Sequence, residues 1–327
     1  MKPIKLCLVA GFVSTSVLAN QGPPQWSPGF GGDISILAGY TNTTSQFNTD
    51  NNVTADLDNN GESQSDSFVS PLGTISYTMA QADRQIYFGT SRSDVALGRF
   101  HVELGYRQRI PDNGQISISY VPGLLSSDTW EDPFVTNSPR TETDSTIKGV
   151  RLQYDRILGS NFSVELSGGK QEIDSEKSGQ QTLTSEQQAL LEREGDILFT
   201  QLSYLKPISR EQIFRTAVSY TRLAADGDAM ANDTYGAEIG IIQMLPSSSL
   251  ALTFSYDLAD FDETNPIFNE RQKDNRWGVF LAYEYQEPFG WENWGLVSLA
   301  GYNESNSNIN FYDEDALLIS AGINYKF

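Results

Sequence analysis

The sequence is poor in the residues that build metal centres and disulfide frameworks. Its 327 residues include one cysteine, Cys7, and one histidine, His101. Structural zinc sites draw about four ligands from these two residue types, so a zinc site is excluded. A disulfide-stabilised secreted domain is excluded too, because it needs an even set of cysteines.

Basic charge and long apolar runs are also scarce. Lys and Arg number 22 against 42 Asp and Glu, which gives a formal net charge of −20. Nucleic acid is therefore disfavoured as a partner, because phosphate contacts need a basic surface. After the first residues, no stretch approaches the roughly 18 apolar residues of a membrane helix. If the mature chain sits in a membrane, it has to cross as a closed β-barrel.

The N-terminus has the pattern of a secretory signal peptide. Lys2 and Lys5 form a positive start, residues 6–18 are mostly apolar, and Ala19 supplies a small residue for cleavage. The apolar run is too short for a membrane span. We predict export through a signal peptide of residues 1–19, which leaves a mature chain without cysteine.

The C-terminus alternates strictly between apolar and polar residues. A period of two places successive side chains on opposite faces of a β-strand. This ending resembles the closing strand of Gram-negative outer-membrane β-barrels, and the resemblance implies that the barrel-assembly machinery recognises it. One strand of this kind also fits a soluble β-sandwich. The predicted assembly signal comprises Ile319, Ala321, Ile323, Tyr325 and Phe327.

Amphipathic segments recur along the chain with long and short connections in alternation. The first strand is expected at 33–41, long loops at 42–68 and 123–146, and a tight turn at PDNG, 111–114. The tally predicts an all-β fold, a transmembrane antiparallel up-and-down β-barrel of about 14 strands, with long extracellular loops and short periplasmic turns. Twelve or sixteen strands stay open, because the segments 85–91 and 294–303 have unclear ends.

Two further features complete the predicted organisation. Residues 20–32 are rich in proline and glycine and form an N-terminal segment before the barrel, which spans 33–327. This segment either tethers the chain at the periplasm or enters the lumen. Ser185 and Gln188 have the spacing of a capping box, so a short helix is expected within a long loop.

The whole mature sequence resembles a family of proteobacterial outer-membrane proteins known only as a domain of unknown function. The resemblance implies a barrel in the bacterial outer membrane, and it implies no activity or functional residue. The stretches that carry it are GGDISILAGY, SPLGTISYT, YGAEIGI, NPIFNE, VFLAYEYQEPFGWENW and SNINFYDEDALLISAGINYKF.

Polar positions on the inward parity are the candidate functional residues. Carboxylates outnumber arginines there by about two to one, and such charges set ion preference in a pore. Alternatively, opposite charges pair across the lumen and fill it. The candidates are His101, Glu103, Arg107, Arg151, Asp155, Glu165, Arg215, Glu238, Asp257 and Glu284.

Three functions are compatible with this pattern. The leading hypothesis is a passive, cation-favouring diffusion channel for ions or small solutes. The second is a non-conducting structural or surface-interaction barrel with acidic loops. The third is a lipid-modifying outer-membrane enzyme that uses His101 with a serine, although no serine stands in a specific motif. A non-enzymatic role is favoured, and the sequence indicates no cofactor.

The first long loop contains a partial calcium-loop pattern. Asp56, Asp58, Asn60 and Glu62 supply hard oxygen ligands, and Gly61 permits the sharp turn. Ser67 stands where such a loop needs a bidentate Glu, which argues against the site. The expected partners are outer-membrane lipids and lipopolysaccharide, the barrel-assembly machinery and divalent cations, without nucleic acid.

Overall fold

A computed structural model describes residues 26–124 and 126–327. The predicted signal peptide lies outside the described residues, and the N-terminal segment is described only from Trp26 onward. The described strands form one antiparallel sheet. No helix within the described ranges is long and apolar enough to cross a membrane.

Strand lengths differ widely around this sheet. The strands are β1 (Gly29–Thr44), β2 (Ser63–Thr78), β3 (Arg84–Gly89), β4 (Glu103–Ile110), β5 (Gly114–Val121), β6 (Ser127–Trp130), β7 (Glu142–Asp155), β8 (Phe162–Ile173), β9 (Gly195–Pro207), β10 (Gln212–Ala225), β11 (Asn232–Met244), β12 (Ser248–Asn265), β13 (Glu270–Gln286), β14 (Trp294–Ser307) and β15 (Glu314–Lys326). Two short helices are α1 (Arg92–Val95) and α2 (Ser185–Ala189).

The sheet closes on itself. Consecutive strands pair from β1 to β5 and from β7 to β15, β15 pairs with β1, and β5 pairs with β7. The short β6 pairs with the outer part of β7 alone. The barrel therefore has fourteen strands, as predicted, and an even number places both chain ends on the periplasmic side.

Alternation assigns one face of each strand to lipid and the other to the lumen. On β1, Ile34 and Ile36 are 44% and 53% exposed, whereas Ser35 and Leu37 between and beyond them are buried. Four residues of the predicted assembly signal likewise lie on the outward parity of β15, and Phe327 follows this strand with a half-exposed side chain. Exposed apolar side chains all round a closed barrel match a protein whose outer surface contacts lipid.

Aromatic residues collect at the periplasmic rim. Tyr283 and Tyr285 on β13, Trp291 in the turn 287–293 and Trp294 on β14 are all exposed. Their amphipathic rings suit the boundary between hydrocarbon and headgroups.

Four outer connections, with 13 to 21 residues, are longer than any periplasmic one, as predicted, whereas the other three have only 4 to 6 residues. We name the outer loops L1 (45–62), L2 (90–102), L3 (122–141), L4 (174–194), L5 (226–231), L6 (266–269) and L7 (308–313). L3 contains β6 and L4 contains α2. The helix in L4 lies where it was expected, although its capping box uses Thr184 and Gln187, one residue earlier than predicted.

L2 departs from the sequence prediction. The alternation of Phe100, Val102 and Leu104 predicts one continuous strand, but β4 begins only at Glu103. The chain leaves the sheet after Gly89, and residues 90–102 instead enter the barrel. The buried charged side chains of this stretch explain the change, because they find partners inside the lumen and would face lipid or loop surface otherwise.

The other outer loops converge over the mouth in one apolar cluster. Phe311 is fully buried at its centre and packs against Phe134 and Phe268, with ring centroids 5.3 and 5.4 Å away. Within the described residues, L2 contributes no member to this cap cluster. The members are Phe47, Leu57, Phe134, Leu183, Leu190, Leu191, Leu223, Ala225, Ala229, Met230, Ala231, Ile267, Phe268, Ile309, Phe311 and Tyr312.

Polar contacts tie L1 to L3 beneath this cluster. The indole Nε1 of Trp130, which is fully buried, donates to the Gln46 carbonyl at 2.8 Å, and the Arg140 guanidinium lies over the same ring at 4.5 Å. Burial lowers the pKa of Arg140 to about 10, so this side chain is still charged at neutral pH. Arg140 also donates to the carbonyls of Gln46 and Asn51. The packed loops thus narrow the extracellular mouth.

Candidate functional site

The predicted lumen residues all lie on the inward side of the wall. Nine of the ten occupy strands, on the parity opposite to the exposed apolar side chains. His101 was predicted to lie on a strand, but it lies in L2, two residues before β4 begins. The structure divides the ten into a central group around L2, a smaller group nearer the periplasmic mouth, and Asp257, which pairs with Gly236 and so lies outward of Glu238.

L2 is a plug made of thirteen residues of the barrel's own chain. The Thr90 N–H donates to the Gly73 carbonyl of β2 at 2.8 Å. The Thr74 hydroxyl of β2 also donates to the Thr90 carbonyl at 2.8 Å. The other backbone–backbone hydrogen bonds described for L2 stay within the loop, such as Val95 N–H to the Ser91 carbonyl and Arg99 N–H to the Asp94 carbonyl. L2 is therefore joined to the opposite wall by side chains and not by strand pairing.

The first of these joints is Arg151 on β7. Its guanidinium forms a two-pronged pair with Asp94 of L2, at 3.0 and 3.2 Å. The Nε group donates to Glu165 of β8 at 2.9 Å, and Nη1 lies 3.4 Å from Glu103 of β4. All four side chains are buried, so one arginine holds three carboxylates, one of which belongs to the plug.

His101 completes this cluster. Its Nε2 lies 3.1 Å from Nη1 of Arg151, and 3.6 and 3.8 Å from carboxylate oxygens of Asp94 and Glu103. The contacts described for His101 place it among charged plug and wall residues.

The same cluster has the residue types of a metal site. Potential ligand atoms of Asp94, His101 and Glu103 lie within 4.8 Å of one another. However, Nη1 of Arg151 is within 3.0 to 3.4 Å of all three side chains. A guanidinium already supplies the positive charge at the centre, so a metal ion does not fit there.

The second joint is Arg99 of L2. This side chain reaches across the lumen to pair with Glu238 of β11. Glu238 also accepts from Arg215 of β10 at 2.5 Å, and Arg215 donates to Gln201 of β9 at 3.1 Å. Two arginines therefore share one carboxylate at the far wall.

This second joint is incompletely bonded. Nη1 of Arg99, Nε of Arg215 and Nε2 of Gln201 are buried and have no hydrogen-bond partner among the described residues. A buried polar atom without a partner costs about 1–3 kcal/mol. The contact between plug and far wall is thus weaker than the count of its charges suggests.

An aromatic contact lies beside the second joint. Phe100 of L2 meets Phe280 of β13 with ring centroids 6.3 Å apart. Gly98 has a φ of 79° and lies so close to Phe280 that an added Cβ would be 2.8 Å from its ring. A glycine is needed here for the left-handed backbone and for the close approach.

The remaining predicted residues lie apart from the plug. Arg107 donates to Gln85 at 2.5 Å and, with Arg109, lies over the ring of Trp26 at 5.2 and 4.0 Å. Trp26 belongs to the N-terminal segment, so this segment meets inward-facing arginines at the periplasmic mouth. Glu284 accepts from Lys326 at 2.8 Å. Asp155 and Asp257 also face inward, outside both joints.

The calcium-loop candidates belong to the outer surface of L1. Asp56 accepts hydrogen bonds from the Asp58 N–H and the Asn59 amide, and Asp58 accepts from Asn310 of L7 at 2.8 Å. Both acidic side chains border a cleft of about 470 Å³ between L1, L6 and L7. Their oxygens are thus used in bonds within and between loops, and the calcium site stays a prediction.

Sequence reasoning missed the plug side of both joints. The sequence analysis did not single out Asp94 and Arg99 of L2, which contact predicted lumen residues. It also did not single out Phe280 of β13, which contacts Phe100 of L2. A signal was present, because a 6-residue strand before L2 is too short to span a membrane, where about 9–11 residues are needed.

Several solved outer-membrane structures resemble this barrel. The outer membrane channel DcaP of Acinetobacter baumannii is 10% identical, with 91% of this chain and 98% of that chain covered and a TM-score of 0.43. The CymD monoaromatic hydrocarbon channel is 9% identical, with 93% and 90% covered and a TM-score of 0.45. The anion-selective porin from Comamonas acidovorans is 10% identical, with 91% and 100% covered and a TM-score of 0.41.

Sequence comparison gives the family. No curated protein sequence matches this chain significantly. A family model described as "Protein of unknown function (DUF2860)" matches residues 29–326, which is nearly the whole barrel. The chain therefore belongs to the DUF2860 family.

Proposed function

We propose that this protein is a gated, cation-favouring diffusion channel of the outer membrane, and that L2 is its gate. The observation that carries the proposal is the way L2 is held. Its contacts with the far wall are side-chain ion pairs and one aromatic contact, and the backbone of that part of L2 forms no strand pair with the barrel.

Buried ion pairs are a poor choice for a permanent plug. The desolvation of two charges offsets most of their attraction, so packed apolar side chains would fill a lumen at least as stably. Charged joints do have one advantage, because they specify a single closed arrangement and separate into groups that water solvates well. The buried atoms without hydrogen-bond partners at the Arg99 joint also favour a joint that can separate, because water can bond them once it opens.

The cation preference rests on the charges that line the wall. Of the predicted lumen residues, Glu103, Asp155, Glu165, Glu238, Asp257 and Glu284 are acidic, whereas only Arg107, Arg151 and Arg215 are basic. Removal of L2 takes away one residue of each sign that is paired with the wall, Asp94 and Arg99. The open lumen would therefore keep its acidic excess and attract cations.

A non-conducting barrel is the second candidate. The cap cluster favours it, because packed outer loops narrow the mouth that a simple pore would leave open. In that case the acidic loops would be the functional surface and the plug would be a permanent filling.

Planar-bilayer recording of Arg99→Ala separates the two. We expect the variant to open more often or to a higher conductance than the parent, because it breaks the joint with Glu238. Arg84→Ala is the control, since Arg84 lies in an exposed pair with Asp83, 3.7 Å apart at a periplasmic turn. A silent bilayer for both proteins, at proven insertion, would support the non-conducting barrel.

A further inference from the structure

The barrel wall is much lower on one side than elsewhere. Strands β3, β4 and β5 have 6, 8 and 8 residues, whereas β2 and β7 beside them have 16 and 14. A strand needs about 9–11 residues to cross the hydrocarbon layer. Above these three strands, no described strand fills the outer part of the wall between β2 and β6, the short strand beside β7. We name this opening the side gap.

One edge of the side gap is the outer part of β2. β2 pairs with β1 over its whole length, but its pairing with β3 begins only at Thr74. The Gly73 carbonyl points to the side of β2 on which β3 lies. Residues two apart in a strand point their backbone groups to the same side, so Pro71 has no N–H to offer a neighbouring strand on that side. Proline is tolerated in sheets at open edges. The sequence of β2 thus agrees with an edge that has no neighbouring strand.

This edge lies at membrane depth. Val69 is 61% exposed and pairs with Ala38, which lies between the outward-facing Ile36 and Tyr40 of β1. Irregular or unpaired backbone is tolerated at that depth only where it is covered by protein or lines a cavity. The edge of β2 therefore marks a place where the lumen and the membrane meet.

Apolar side chains lie on the two side borders of the gap. Phe68 and Leu72 lie on the inward parity of β2, and Val69 lies on its outward parity. Across the gap, Leu124 at the start of L3 is 63% exposed. Such a border disfavours ions and suits an apolar molecule.

L2 stands directly behind the side gap. It begins at the outer end of β3 and returns to the outer end of β4, so its two ends form the lower border of the gap. The cap cluster narrows the straight route out of the lumen. A displacement of L2 would consequently connect the lumen to the side of the barrel before it connected the lumen to the outer medium.

We infer that the side gap is a lateral passage through which small apolar molecules move between the lumen and the outer half of the membrane. The inference rests on the proposed function, because L2 has to move for the passage to open. The side gap would thus serve a second class of solute. Apolar molecules would enter or leave through the wall, whereas ions would pass along the lumen.

Lipid contact is tested with a fluorescent bimane label on a single cysteine. The chain's one cysteine, Cys7, lies in the predicted signal peptide, so Leu72→Cys and Asn303→Cys each give one label. Asn303 faces the lumen from β14, which is paired on both edges. In vesicles of phosphatidylcholine with brominated acyl chains, the label at 72 should be quenched at least twofold more than the label at 303. Equal quenching would overturn the side gap.

Transport is tested in the Arg99→Ala background with Leu72→Arg and, as its control, Asn303→Arg. The probes are N-phenyl-1-naphthylamine entry into intact cells and potassium conductance in a planar bilayer. We expect Leu72→Arg to lower the entry of the apolar probe at least twofold while potassium conductance changes less. Entry that is unchanged, or lowered equally by Asn303→Arg, would overturn the lateral passage.

The two proposals fail in different ways. If the Arg99→Ala background conducts no potassium, the gated channel is wrong and so is the transport through the side gap, whatever the quenching. If it conducts potassium and Leu72→Arg leaves the entry of the apolar probe unchanged, only the lateral passage is wrong. Heat-modifiable migration of each variant verifies that the barrel has folded.

Discussion

Arg151 is the residue on which the closed lumen depends most. It is fully buried, and it contacts Asp94 of the plug as well as Glu103 and Glu165 of the wall. These carboxylates come from three separate parts of the chain. A single side chain therefore couples L2 to two strands.

Replacement of Arg151 should be costly. We expect Arg151→Met to lower the free energy of unfolding by about 3–5 kcal/mol, because it leaves buried carboxylates without a counter-ion. Urea unfolding in detergent micelles measures this. If the reason is unpaired charge, the added changes Asp94→Asn and Glu165→Gln should restore part of the loss. A loss that the added changes deepen would point to packing instead.

Phe327 tests a prediction made from the sequence ending. Its backbone N–H and carbonyl both pair with Gly32, at 3.1 and 3.0 Å, and do not depend on the ring. Phe327→Ser should therefore fold normally from urea into detergent, yet accumulate less in the outer membrane of cells. Equal yields in cells would contradict recognition of the terminal aromatic residue, and equal losses in both settings would indicate a structural role.

At the scale of single elements, alternation predicted strands well wherever lipid lies on one face. The closing strand and the count of fourteen follow from this, because lipid demands an apolar residue at every second position. L2 could not be predicted in the same way. Phe100 continues the parity of Leu104, yet its ring packs on Phe280 inside the barrel.

The sequence also could not predict which residues pair with the lumen charges. Parity states which way Glu238 points but not which element meets it. The structure shows Arg99 of L2 there, more than a hundred residues away in the chain. Contacts of this range depend on how the barrel closes and where L2 leaves the wall.

The cap cluster should behave as one packed element. Phe311 is fully buried in it, and loss of such a ring costs about 3–5 kcal/mol in a folded core. We expect Phe311→Ala to make L1 and L3 far more sensitive to protease added to intact cells. Val53→Ala, at a half-exposed position in L1, is the control. Equal sensitivity of both variants would show that the loops are not held by the cluster.

At the scale of the whole molecule, the acidic excess of the lumen should set ion preference. We expect Glu103→Gln, Glu238→Gln and Glu284→Gln together to move the reversal potential in a potassium chloride gradient toward zero. The difference should shrink at high salt, because the screening length falls to about 3 Å near 1 M. An unchanged reversal potential at low salt would contradict the acidic-lumen mechanism.

If L2 is the gate, its removal should let ions pass through the lumen and the narrowed mouth. Single-channel recording of a variant in which residues 91–101 are replaced by a short glycine–serine linker tests this most directly. The replacement removes Asp94, Arg99 and Phe100 together and leaves every barrel strand intact. We expect a steady, cation-biased conductance well above that of the parent protein. A folded, inserted variant that stays as silent as the parent would contradict it.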